Sequence, residues 1–142
     1  MKNWRHSDVW KMDKYGITME IIHWSMYTIE QLNNDRYSRT SWNYYAYLLE
    51  TVLGAEKFEP LWLKDNNDYF NLNLGESKWN GGLTFYDKGI NRHSNKRWVK
   101  VGCDFSHYWD YEREEYSEDE IKGYAEDCLN KLVNFFELKK GN

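Results

Sequence analysis

Ile121, Ala125, Cys128, Leu129, Leu132, Phe135 and Phe136 recur at spacings of three and four near the end of the chain. That period sets apolar side chains on one side of an α-helix. Ser117 followed by Glu120 completes a capping box, in which the serine oxygen accepts from a free backbone N–H and the glutamate reaches back. Glu118, Asp119 and Glu120 suit the positive end of the helix dipole, Lys139, Lys140 and Gly141 suit its close, and Gly123 falls off the stripe. A helix that is apolar on one side only has to cover that side with a second layer, so the rest of the chain is read for a sheet.

The clearest strand is Arg97 to Phe105. Val99, Val101, Cys103 and Phe105 fall on one side of it and Trp98, Lys100, Gly102 and Asp104 on the other, which makes the first set the natural partner of the helix stripe. Leu83 to Tyr86 reads as a preceding strand. The connection from Asp87 to Lys96 carries Gly89, Asn91, Ser94 and Asn95, residues that tolerate a chain reversal, so the two strands are expected to form an antiparallel hairpin. Upstream, Gly16 to Trp24 sets Ile17, Met19 and Ile21 against Thr18, Glu20 and Ile22 with a period of two, a further strand. Ser41 to Val52 fits a helical stripe as well as a strand; its Tyr and Trp content and the stop at Gly54 favour the strand.

Pro60, in KFEPLWLKD, predicts an edge strand or extended loop over Leu61 to Leu63. Asp65 to Lys78 reads as a surface loop, and the polar segment Met26 to Arg39 has room for a short helical turn over Thr28 to Asn33. Residues 1–15 show no clean period and are expected to form a loosely docked N-terminal arm. The expected fold class is therefore α+β: one domain, residues 1–142, with a small antiparallel sheet packed against a C-terminal amphipathic helix.

At 142 residues the chain can bury a core without metals or disulfides. No apolar run reaches the roughly eighteen residues of a membrane span, and the N-terminus lacks the pattern of a signal peptide, so a cytoplasmic location is expected. Cys103 and Cys128 lack metal-type spacing and read as buried thiols. A formal charge of −4, from 19 Lys and Arg against 23 Asp and Glu, argues against general nucleic-acid binding, which needs a basic surface. Aromatic residues make up 18% of the chain, with 12 Tyr, 8 Trp and 6 Phe. Too many rings for one core implies that some line a groove or an interface, and exposed rings favour a homo-oligomer.

The hairpin brings Gly81 and Gly82 near the loop that follows Phe105, so glycines, acids and indole rings are expected at a common rim. Gly102, beside Asp104 and across from Thr84, either leaves an opening for a ligand or relieves twist. Asp104-x-x-His107-x-x-Asp110 offers two carboxylates and an imidazole, acceptable as metal ligands or as an acid/base pair. The more economical reading has the acids accepting from loop N–H groups while His107 braces the turn. No P-loop, dinucleotide fingerprint, nucleophile elbow or HExxH pattern is present; no cofactor and no metal is expected.

GGLTF (Gly81 to Phe85), WVKVGCDFSHYWD (Trp98 to Asp110) and the Glu-Asp-Cys of the final helix (Glu126 to Cys128) together resemble a group of small tailed-phage accessory proteins. Its pattern is close to HGG[IL]T[YF], then Wx[IV]G[FW]DCAHxxD, then a helix with Glu-Cys. The matching positions are Gly81, Gly82, Thr84, Gly102, Asp104, His107, Asp110 and Cys128. Asn80 stands where the group has histidine, and Cys103 and Phe105 are exchanged relative to its pattern. The resemblance implies a non-enzymatic protein that antagonises host antiviral defence in the host cytoplasm, by sequestering a nucleotide signal or by blocking a defence protein. For a nucleotide, Trp42, Trp98 and Trp109 are expected to stack on bases while Lys100, Arg97, Arg92 and Thr84 meet phosphates. Gly82, Gly102, Asp104, His107 and Asp110 complete the expected site. For a protein target, the seven carboxylates from Asp110 to Glu120 would face a basic surface. The alternative is a small metal-assisted hydrolase that uses Asp104, His107 and Asp110.

Overall fold

The computed structural model describes residues 3–28, 39–65, 68–77, 79–105 and 116–138. Its strands are β1 (Asn3–Lys14), β2 (Ile17–Thr28), β3 (Arg39–Leu49), β4 (Phe85–Ile90) and β5 (Arg97–Asp104), and its helices are α1 (Glu50–Leu53), α2 (Ala55–Trp62) and α3 (Glu118–Phe135). The strands form one antiparallel sheet in the order β1-β2-β3-β5-β4. With α3 packed on one side, the fold is the expected α+β arrangement.

The helix side of the sheet follows the alternation in the sequence. Ile17, Met19, Ile21, Ala46, Leu48, Val99 and Val101 are fully buried there and meet Ile121, Ala125, Cys128 and Leu132 of α3 in one core. Cys103 and Cys128 are both buried thiols. The capping box forms as the sequence predicts, Glu120 N–H donating to Ser117 Oγ at 3.1 Å and Ser117 N–H to Glu120 Oε1 at 3.3 Å. The buried stripe differs by one position near its end: Phe136 is buried as expected, but Val133 is inside and Phe135 is 38% exposed. Lys139, Lys140 and Gly141 lie outside the described residues. The helix closes instead with Glu137 in the left-handed region (φ 55°), Glu137 N–H donating to Asn134 O at 3.1 Å and Leu138 N–H to Val133 O at 3.0 Å. This is a Schellman closure with glutamate where glycine is usual.

Residues 3–14, expected as a loose arm, instead pair with β2 along their whole length. Tyr15 and Gly16, both with positive φ (47° and 89°), make the two-residue reversal that antiparallel strands prefer. As an edge strand β1 contributes Trp10 and Met12 to the core, too few apolar positions for a clean period. The hairpin is present but shifted: β4 starts at Phe85 and continues to Ile90, leaving Asn91–Lys96 as the reversal, braced by the Asn91 side chain accepting from His93 and Ser94 N–H. Ser41 to Val52 divides, strand as far as Leu49 and then a short helix.

Pro60 lies inside α2, which corrects the expected extended segment. Phe58 and Leu61, three apart, are both buried, and that burial outweighs the local preference of proline. The carbonyls released at the end of α2 are taken up by β4. Tyr86 Oη donates to Leu61 O at 2.6 Å and Lys64 O at 3.0 Å, and Lys88 Nζ to Trp62 O at 2.6 Å, a cation placed where the helix dipole favours it. The segment expected to make a turn over Thr28–Asn33 lies largely outside the described residues.

Candidate functional site

One pocket opens where the end of β5 meets the first half of α3. Its volume is about 200 Å³, and it is lined by Tyr44, Trp79, Asn80, Phe105, Tyr116, Tyr124 and Asp127. Four separate parts of the chain build it. Tyr44 and Phe105 come from the helix side of the sheet, Trp79 and Asn80 from the turn before β4, and the rest from α3 and the residue just before its cap. Gly82 N–H donates to Trp79 O at 2.9 Å across a tight turn in which Gly81 has φ 72°, a conformation open chiefly to glycine. Asn80 Nδ2 then donates to Asp104 O at 3.0 Å, which fastens the turn to the end of β5.

The walls are aromatic. Tyr44 stacks on Trp79 with centroids 5.7 Å apart, and Phe105 lies 4.8 Å from Tyr116 edge-on and 6.2 Å from Tyr124 face-on. Two polar features stand out among them. Trp79 Nε1 is buried with no hydrogen-bond partner among the described residues, and a donor left in that state costs roughly 1–3 kcal/mol. Asp127 lies on the same side of α3 as Tyr124, three residues away, and its carboxylate is 3.8 Å from Lys131. Behind the pocket the Tyr44 hydroxyl hydrogen-bonds with Cys103. Burial raises the Tyr44 phenol far above its ordinary range and pushes the Cys103 thiol up to about 12, so both groups stay protonated.

The residues expected to act together are dispersed. Asp104 and Thr84 do meet, Thr84 Oγ1 donating to Asp104 Oδ2 at 3.2 Å. His107, Trp109 and Asp110 lie outside the described residues. Gly82 is exposed, with open space where a side chain would be. Gly102 leaves no opening: a Cβ there would sit 2.2 Å from Tyr45 Cδ1 and 2.6 Å from the Tyr44 carbonyl oxygen, so the tyrosine ring already occupies that space. Trp42 is only 4% exposed, stacked with His23 at 4.0 Å and Trp10 at 5.6 Å, and has no ring face to offer a base.

Arg97 is engaged by Glu50 and Glu59. It lies at the start of β5, about 23 Å from Asp104 at the usual rise per strand residue. Arg92 is exposed in the Asn91–Lys96 reversal, at that same far end. Trp98 and Lys100 lie on the side of the sheet opposite α3. Trp98 fills the space above Gly89, and Lys100 Nζ sits 4.5, 5.0 and 5.4 Å from the ring centres of Tyr45, Tyr47 and Phe85, with Glu20 3.9 Å away. These positions cannot converge on one phosphate-bearing ligand.

The pocket residues that sequence reasoning missed carried faint signals. Trp79 and Asn80 directly precede the glycine pair, and Tyr124 and Asp127 sit three apart, just off the apolar stripe. No helix among the described residues is long and apolar enough to cross a membrane, and no group of three or more His, Cys, Asp or Glu suited to a metal ion occurs among them. No protein-family model, curated protein or solved structure matches this chain.

Proposed function

We propose that this protein works by binding, and that the rim pocket holds one flat, nitrogen-rich ring system, the base of a nucleotide signal. The observation that carries this reading is the pocket itself, walled by the rings of Tyr44, Trp79, Phe105, Tyr116 and Tyr124 and lined by Asp127, with the buried Trp79 N–H beside it lacking an acceptor among the described residues. A nucleobase edge carries ring nitrogens or carbonyls that accept and amino or imino groups that donate, complementary to an indole N–H and a carboxylate. Its faces stack on Tyr and Phe rings, a contact worth about 1–3 kcal/mol per base. At about 200 Å³ the pocket is smaller than the roughly 300–1,000 Å³ that encloses a drug-sized ligand, so it suits a single base with the sugar and phosphates outside.

In the setting implied by the phage-protein resemblance, holding such a base in the host cytoplasm removes an immune signal without consuming it. Blocking a host defence protein is a second reading. It is favoured by the side of the sheet facing away from α3, where Tyr45, Tyr47, Phe85 and Trp98 surround Lys100, because half-buried aromatic residues are the usual anchors of protein contacts.

The test is to incubate the protein with a panel of cyclic and linear nucleotide signals, remove unbound ligand, denature by heat and identify what is released. Release of an intact nucleotide is expected. Release of an altered one establishes the hydrolase alternative, and failure to retain any nucleotide overturns the pocket reading and leaves the protein-blocking one.

A further inference from the structure

We infer that two copies of this chain pair through their β1 strands, forming a continuous ten-stranded sheet with Val9 on the two-fold axis. The observation is independent of the rim pocket. β1 is the last strand of its sheet, twelve residues long, and among the described residues no strand pairs with its outer edge. Ser7, Val9, Lys11 and Asp13 are exposed, Val9 by 52%. The two-residue turn at Tyr15–Gly16 makes Lys14 and Ile17 the closing pair of the hairpin. Hydrogen-bonded and non-bonded pairs then alternate along the ladder, so positions 5, 7, 9, 11 and 13 turn their N–H and C=O groups away from β2. A long edge of this kind is a template for another strand.

The order of charges selects the occupant and the register. A two-fold axis perpendicular to the sheet pairs residues of equal parity and keeps both α3 helices on one side. Centred on Val9, it sets Asp13 opposite Arg5 of the second copy, twice by symmetry, and Lys11 opposite Ser7, with no like charges facing. Centred on Asp8 it would oppose Asp8 to itself and Lys11 to Arg5; centred on Lys11 it would oppose two lysines. Centred on Trp10 it forms no ion pair, and centred on Met12 it sets Lys11 opposite Asp13 but overlaps only positions 10–14 of the strand. Cross-strand opposite charges stabilise pairing and like charges oppose it, so the Val9 register is the self-complementary one that pairs nearly the whole strand.

Native mass spectrometry and light scattering on the full chain test this. The wild type is expected to be a dimer. Val9→Pro is expected to be monomeric with an unchanged far-ultraviolet circular dichroism spectrum, because an edge strand accepts proline where its N–H points outward. Arg5→Asp and Asp13→Arg are each expected to raise the dissociation constant about tenfold, and the double variant to restore it. The charge variants keep the test decisive should the proline variant misfold. A monomeric wild type, or a dimer indifferent to the charge swaps, overturns the inference.

Discussion

Arg97 donates to the Glu50 carboxylate from both Nε (3.1 Å) and Nη2 (2.6 Å), and Nη2 also reaches Glu59 at 2.8 Å. One side chain at the start of β5 thereby holds the first residue of α1 and the middle of α2, while its guanidinium lies over Phe58 and Trp62 at 5.3 and 5.0 Å. A forked, planar cation is suited to such a double role. The arginine that looked like a phosphate ligand is a clamp between helices and sheet.

The clamp has a pH signature. Its hydrogen bonds hold the Glu50 carboxyl below the usual carboxylate range. A folded value below the unfolded one, about pH 4.3 for glutamate, gives stability that is fully present above the unfolded value and is lost as pH falls through the folded one. Arg97→Ala is expected to melt a few degrees lower than the wild type at neutral pH, and the gap should close in acid. Thermal melts across that range check this; a gap independent of pH would show that lost ring packing, not Glu50, is responsible.

Trp79→Phe keeps an aromatic wall and removes the N–H donor. It is expected to weaken nucleotide retention about tenfold, the worth of one hydrogen bond. Asp127→Asn should weaken it by roughly 10- to 100-fold, since an ionised acceptor makes the stronger bond. Calorimetric titration reads both. Affinity unchanged in the pair of variants would place the ligand elsewhere.

Gly102→Ala is expected to destabilise the fold by about 1–3 kcal/mol, the usual cost of overpacking. The Tyr45 ring could swing away from the new methyl group, but the Tyr44 carbonyl, 2.6 Å from it, belongs to the backbone of a central strand. Urea unfolding measures the change. A neutral result would mean that β3 and β5 separate readily at this point.

Glu137→Gly acts in the opposite direction. An L-residue in the left-handed region costs roughly 1–2 kcal/mol, and glycine returns part of that gain as chain entropy, so a net stabilisation of about 0.5–1 kcal/mol is expected. The melting temperature should rise by roughly 2–5 °C. A fall would imply that the Glu137 side chain contributes more than its backbone angle costs.

The amphipathic helix with its cap, the Val99-Val101-Cys103 face and the Ile17-Met19-Ile21 face were legible because each is written locally, in a period or a four-residue motif. β1 was not: among its described side chains Trp10 and Met12 alone pack against the core, and its regularity comes from pairing with β2. Nor was α2, where Pro60 advertised extended chain until Phe58 and Leu61 found the core and Tyr86 and Lys88 took the loose carbonyls. Among the described residues, none of those expected at the site lines the pocket; Asp104 and the Gly81–Gly82 turn lie beside it, connected through Asn80.

Its working walls escaped, because Tyr44, Trp79 and the Tyr124–Asp127 pair are distant in the chain and no spacing links the three. By itself, then, the sequence determined which segments have an apolar side and how the last helix begins. Tertiary packing decided which rings are covered, which cations are already engaged and where a pocket remains. Burial and ion pairing depend on neighbours that only chain folding supplies.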